Sequence, residues 1–260
     1  MEWYQPLSGF LVGTLVGMTG VGGGSLMTPL LIFLFGVAPA TAVGTDLLFA
    51  AITKIGGIWA HTRRQTVQWR IVGLMMLGSV PTALITVQIL RQLHAHGVKT
   101  DPLINVTLGI ALVLTALVLL FKNSLHRTGR RLTVLAPQFK SLRAPATVFG
   151  GMILGVLVPI SSIGAGALGA AMLIFLYPSQ PTRNIVGTDL AHAVPLTLIA
   201  GVGHLFMGNV NTTLLLALLL GSLPGIYLGS HMSSKVPEKV LRTLLASMLM
   251  LIGVKFILTN

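Results

Sequence analysis

The sequence predicts an all-α integral membrane protein made of two inverted repeats, each a glycine-rich broken helical hairpin followed by three transmembrane helices. Three observations carry that prediction. First, the 260 residues are 53% hydrophobic and only 8% charged, with a mean hydropathy of +0.88, whereas soluble domains hold about 25% charged residues. Second, apolar runs of about 18 to 24 residues recur between short polar loops, long enough to cross a hydrocarbon core of roughly 30 Å. Third, the chain repeats itself. Displaced by 143 positions, Gly44, Thr45, Asp46, His61, Gly78, Ser79 and Pro81 fall on Gly187, Thr188, Asp189, His204, Gly221, Ser222 and Pro224. Seven identities at one spacing mark an internal duplication.

In chain order, the repeats are expected at 1–121 and 144–260, joined by a basic linker at 122–143. Leu7–Gly36 is apolar but broken by the glycines around Gly20–Ser25, each of which costs a helix interior about 1 kcal/mol relative to alanine. Thr147–Leu176 repeats the pattern, interrupted by Pro159, Ser161, Ser162, Gly164 and Gly166. Corresponding interruptions in two halves of a membrane chain point to a transport site. The clearest uninterrupted spans lie near Val37–Trp59, Ile71–Leu90, Leu103–Phe121, Ile185–Phe206, Thr212–Leu228 and Val240–Leu258. The linker is expected to be an amphiphilic connector without a fold of its own.

Loop charge orients these spans. The loop 61–70 holds three arginines and its equivalent, 204–213, holds none, so the two are expected on opposite faces of the membrane. The linker carries six lysines or arginines and belongs with the Arg63/Arg64 loop on the cytoplasmic side. Broken segments that turn back as hairpins satisfy this pattern, with Arg91 and Lys99 dissenting, better than single crossings do. A formal net charge of +12 placed in such loops indicates topology and anionic lipid rather than nucleic acid. No cleaved signal peptide is read in the first residues, and the absence of cysteine removes disulfides, thiolate catalysis and Cys-ligated metal.

Only five acidic residues occur, and two of them, Asp46 and Asp189, sit inside apolar segments at equivalent positions. A buried aspartate costs at least about 2.5 kcal/mol at a helix centre, so it needs a compensating role. One reading is a carboxylate near a helix N-terminus, since Pro39 and Pro181 mark helix starts. The other is a coupling or gating site, with Lys54 two turns beyond Asp46 as its partner and His192 on the helix face of Asp189. His192 also reads as a hydrogen-bonding packing residue. The glycine clusters lack the Lys-Ser/Thr of a nucleotide loop. Gly9/Gly13/Gly17 and Gly221/Gly225/Gly229 are spaced for close helix packing, within the chain or in a homodimer. The substrate site is expected at two unwound tips, Gly20, Gly22, Gly23, Gly24 and Ser25 in one repeat and Ser161, Ser162, Gly164 and Gly166 in the other, together with Thr45 and Thr188. No catalytic set, metal constellation or cofactor motif is read, so an enzyme is not expected.

The run Gly-Met-Thr-Gly-Val-Gly-Gly-Gly-Ser-Leu at 17–26, Pro29, Gly-Thr-Asp-Leu at 44–47 and 187–190, His-x-Arg at 61–63 and Ser-x-Gly-Ala-Gly-Ala-Leu-Gly at 162–169 resembles the TauE/SafE sulfite exporter family. The resemblance covers nearly the whole chain. It implies transport of a small sulfur-containing anion, such as sulfite, thiosulfate or an organosulfonate like sulfoacetate or taurine, across the inner membrane. The glycine/serine tips and Gly-Thr-Asp segments would line its site. Many relatives carry Ser where Asp46 and Asp189 stand, so a proton role for these aspartates would not be shared across the family. A cation-coupled carrier of a carboxylate or amino acid, and a non-transporting membrane scaffold, are the alternatives.

Overall fold

The structure, a computed structural model, describes residues 4–19, 24–135, 138–232 and 238–258. Their regular elements are all helices, joined by short connections. Repeat one supplies α1 (Tyr4–Thr19), α2 (Gly24–Phe35), α3 (Pro39–Arg63), α4 (Trp69–Ala95) and α5 (Asp101–Leu135). Repeat two supplies α6 (Gln138–Ser161), α7 (Ala167–Leu176), α8 (Thr182–Phe206), α9 (Thr212–Met232) and α10 (Glu238–Leu258). Six of them, α3, α4, α5, α6, α8 and α9, contain stretches long and apolar enough to cross a membrane. Large apolar side chains face outward along these helices, among them Leu77, Phe149, Leu198 and Leu220. So much exposed apolar surface suits a lipid solvent. The chain is a multi-pass membrane protein.

Sequence punctuation explains the breaks. Pro39 opens α3 and Pro181 caps α8, positions where the fixed φ and missing N–H of proline cost nothing. Between α6 and α7, Gly164 and Gly166 take φ of +119° and +139°, and Ser162, at +59°, occupies the left-handed region that side chains avoid. The chain there reverses. Tyr177, at the far end of α7, hydrogen-bonds Thr147 early in α6, and Met172 lies against Gly150. The second broken segment is therefore a hairpin, and α7 does not cross.

The repeats interlock by exchange. The first helix of each packs on the fourth of the other, α1 on α9 and α6 on α4, while α3 pairs with α8 and α5 with α10. Glycine permits the close approaches. A Cβ on Gly9 or Gly13 would strike the backbone of Leu218 or Ser222, and one on the equivalent Gly151 or Gly155 would strike Met75 or Ser79. Gly221, Gly225 and Gly229 meet the backbone of α1 in return. The two glycine faces singled out in the sequence thus pack on each other inside the chain. Helices α3 and α8 run antiparallel, since Gly44 near the start of α3 abuts His204 near the end of α8, and Gly187 abuts His61 in the reverse sense.

One expectation requires correction. The basic stretch 122–143, expected as an amphiphilic connector without a fold of its own, is helical through Leu135 and again from Gln138 and packs on the second hairpin. Leu125, Gly129 and Leu132 recur at helical spacing and are partly or fully buried. Gly129 meets the backbone of Phe175, and His126 bonds the Pro178 carbonyl. Arg127, Arg130 and Arg131 are exposed on the remaining face, which is why composition alone suggested a solvated linker. At 35 residues, α5 is about 52 Å long and projects well beyond a hydrocarbon core.

Candidate functional site

Three buried charges occupy the interior where the hairpin tip meets α3 and α8. Asp46 stands two turns into α3, Lys54 two turns beyond it, and Asp189 two turns into α8; their exposures are 0%, 7% and 4%. The Asp46 Oδ2 accepts from Thr28 Oγ1 on α2 at 2.5 Å and from Ser162 Oγ at the tip at 2.9 Å. One carboxylate oxygen therefore ties together both repeats. Its Oδ1 has no hydrogen-bond partner among the described residues.

Lys54 is the only buried lysine or arginine among the described residues. Its Nζ donates to the Ala165 carbonyl at 2.7 Å, an acceptor freed by the unwinding between α6 and α7. Both carboxylates lie within electrostatic reach of its charge. Asp189 Oδ1 lies against Gly169 on α7, where a Cβ would displace it, and has no hydrogen-bond partner among the described residues. Two carboxylates against one ammonium leave one negative charge over, which one proton or one monovalent cation would cancel. Burial of charge at this depth is expensive in a membrane, which makes this group the candidate site.

The other residues expected to matter are placed as follows. His192 bonds Ser79 on α4 through Nε2 at 2.8 Å, and its Nδ1 has no partner among the described residues. Ser161 donates to Leu157 O and accepts from Ile163 N, so it shapes the tip locally. Gly164 and Gly166 supply the reversal itself. Thr45 Oγ1 accepts the N–H of Asn211, and Thr188 Oγ1 accepts the N–H of Gln68, two bonds related by the same shift of 143. Each Gly-Thr-Asp threonine therefore ties its helix to the start of the other repeat's fourth helix. Gly20, Gly22 and Gly23 lie outside the described residues; Gly24 opens α2, and Ser25 follows it in the first turn.

Thr28 escaped the sequence reading. It lies three residues past Ser25, next to Pro29, and its only signal was being a hydroxyl inside an apolar helix of 12 residues. The groups brought together are Asp46, Ser162, Lys54 and Asp189, with Thr28 and the Ala165 carbonyl. Thr45, Thr188 and Ser161 brace the frame around them. No group of three or more metal-ligating side chains occurs among the described residues.

Comparison with known proteins adds a second line. The family model for the sulfite exporter TauE/SafE matches residues 6–256. The probable membrane transporter protein YjnA of Bacillus subtilis is 38% identical over 251 residues, covering 96% of this chain and 98% of that protein. YunE of the same organism, likewise named a probable membrane transporter protein, is 27% identical over 82% of each chain. The probable membrane transporter protein MJ0441 of Methanocaldococcus jannaschii is 26% identical, over 78% of this chain and 72% of that one. No solved structure matches.

Proposed function

Because the chain belongs to the TauE/SafE sulfite exporter family, we propose that it is an inner-membrane secondary carrier that exports a small sulfur-containing anion, sulfite, thiosulfate or an organosulfonate. The observation that carries this reading is the buried Asp46–Lys54–Asp189 group set against the α6–α7 break. An anion needs a positive partner and polar groups to replace its hydration. Lys54, the Ser162 hydroxyl and the N-terminal turn of α7 offer them in one place. Lys54 would exchange the Ala165 carbonyl for the anion. Thr45 and Thr188 complete the proposed lining, and Gly20, Gly22, Gly23, Gly24 and Ser25 are proposed with them, the first three lying outside the described residues.

Energetics support export. An interior-negative potential drives an anion outward by about 2.3 kcal/mol per charge per 100 mV. An anion beside charged Asp46 or Asp189 is repelled, so a proton carried on either aspartate would couple to transport, with His192 as a gating neighbour. The antiparallel pairing of equivalent helices supports two inverted repeats, which would expose such a site alternately to each side. The arginine-rich end, with Arg63, Arg64 and Arg70, is then cytoplasmic. We read the protein as a carrier and not an enzyme.

The test is counterflow in proteoliposomes. Sulfite, thiosulfate, sulfoacetate, taurine and acetate are compared in the wild-type protein, Ser162→Ala and Lys54→Met. Saturable exchange of a sulfur anion, lost in Lys54→Met, supports the reading. Exchange of acetate or an amino acid alone would transfer it to a carboxylate or amino acid carrier, and no exchange at all would favour a scaffold.

A further inference from the structure

Above Asp189, on the arginine-rich end, a polar ladder runs along the start of α8. Asn184 and Thr188 share one face of the helix, and Gln180, in the connection just before Pro181, continues the line. Asn184 Nδ2 leans toward Gln180 Oε1 at 3.5 Å, and Thr188 donates to the Asn184 carbonyl at 2.6 Å. The crevice along this ladder, lined also by Gln68 and Tyr177, has no room for a water molecule. It is shut.

Outside the crevice the space opens. A cavity of about 300 Å³ is lined by Gln68, Arg70, Arg143, Tyr177 and Gln180. A second, of about 470 Å³, shares Gln180 and adds Lys122 and His126. Among the described residues, no acidic side chain lines either one. Arg143 is held in position, donating from Nη2 to Thr133 Oγ1 at 2.9 Å and standing 5.8 Å over the Tyr177 ring. Thr147 Oγ1 spends its proton on the Arg143 carbonyl, so it accepts from the Tyr177 hydroxyl. Tyr177 is thereby fixed between the arginine cavity and the closed crevice.

The duplication supplies a control inside the same molecule. At the opposite end Asn211 and Thr213 stand where Gln68 and Arg70 stand here, and the α2–α3 connection, Phe35–Ala38, offers no side-chain hydroxyl, amide or charge. The frame is repeated but the positive charge is not. Lipid attraction explains arginines on an outer rim, not two arginines converging on a cavity floored by amides and a tyrosine hydroxyl.

We propose that Arg70 and Arg143 form an outer loading site for a small oxyanion, and that Tyr177 with Gln180 closes the passage from it to Thr188 and Asp189. This rests on the anion-carrier reading and deepens it. Guanidinium groups match the planar pairs of acceptors on sulfite, sulfonate or sulfate. With such a site on one end only, the carrier loads at lower concentration from that end, which makes the arginine side the donor side.

The experiment has two readouts. In oriented proteoliposomes, the half-saturating concentration of sulfite is measured from each side for wild type, Arg70→Gln, Arg70→Lys, Arg143→Gln and Tyr177→Phe. Arg70→Gln should raise it about tenfold from the arginine side and leave the other side unchanged, with Arg70→Lys between. Tyr177→Phe should change the rate from that side more than the half-saturation. Equal effects on both sides, or none, overturn the proposal. Separately, Trp69 neighbours Arg70 and is 58% exposed. In a Trp3→Phe/Trp59→Phe background, its emission should respond saturably to sulfite at constant ionic strength and lose that response in Arg70→Gln. A saturable response without transport leaves the loading site standing and removes the carrier reading. Transport with neither a sided effect nor a Trp69 response does the reverse.

Discussion

Removing Lys54 tests the charge arrangement at the centre of the molecule. Its ammonium is buried, donates to the Ala165 carbonyl, and lies within electrostatic reach of both Asp46 and Asp189. Lys54→Met keeps the aliphatic volume and deletes the charge, leaving two buried carboxylates without a counter-ion. Breaking a buried ionic group by removing one partner costs about 3–5 kcal/mol, while removing both partners is close to neutral. At about 2–4 °C per kcal/mol for a chain of this size, the single variant should melt about 10 °C below wild type in detergent at neutral pH. Lys54→Met/Asp189→Asn and Lys54→Met/Asp46→Asn should each recover part of that loss, because each returns the group to one uncompensated carboxylate. Additivity within about 0.5 kcal/mol in both cycles refutes the reasoning.

Three further outcomes are expected. Thr28→Val and Ser162→Ala each delete a hydroxyl donor to Asp46 Oδ2 and should cost about 1.5–3 kcal/mol, measured by thermal unfolding; a loss below 0.5 kcal/mol in both would mean that the carboxylate is held otherwise. Thr45→Val and Thr188→Val each remove the acceptor for a backbone N–H of the other repeat, and near-equal losses of about 1 kcal/mol should follow, visible as matching increases in amide hydrogen exchange at Asn211 and Gln68. Gly221→Ala drives a Cβ into the Pro6 carbonyl, whereas Gly56→Ala meets open space. The first should destabilise by about 1–3 kcal/mol and the second should be neutral or stabilising by up to about 1 kcal/mol, read from the same melting curves.

Much of this was legible in the residues. Hydrophobic runs fix the lipid solvent because backbone groups in a bilayer must pair within their own helix, so span and composition leave little choice. Duplication, the positions of the breaks and the rarity of Asp46 and Asp189 are properties of spacing, which a sequence states directly. The glycine faces were readable as close contacts, but not which helix they contact. Exchange of first helices between the repeats brings Gly9 to Leu218 and Gly221 to Pro6, a pairing that no local pattern encodes. The linker was misread because charge count hid the Leu125/Gly129/Leu132 face, which takes on meaning only once α7 lies beside it.

The sequence by itself determined the membrane setting, the two-fold repetition and the candidate ionisable residues, because each depends on chemistry and spacing along one chain. The tertiary structure alone decided which of them meet. Ser162 and Asp46 lie 116 residues apart, and Lys54 reaches Ala165 across 111. Those contacts arise from two repeats folded through each other, and their geometry rests on a hairpin turned back inside the protein, where long-range packing sets the position of every charge.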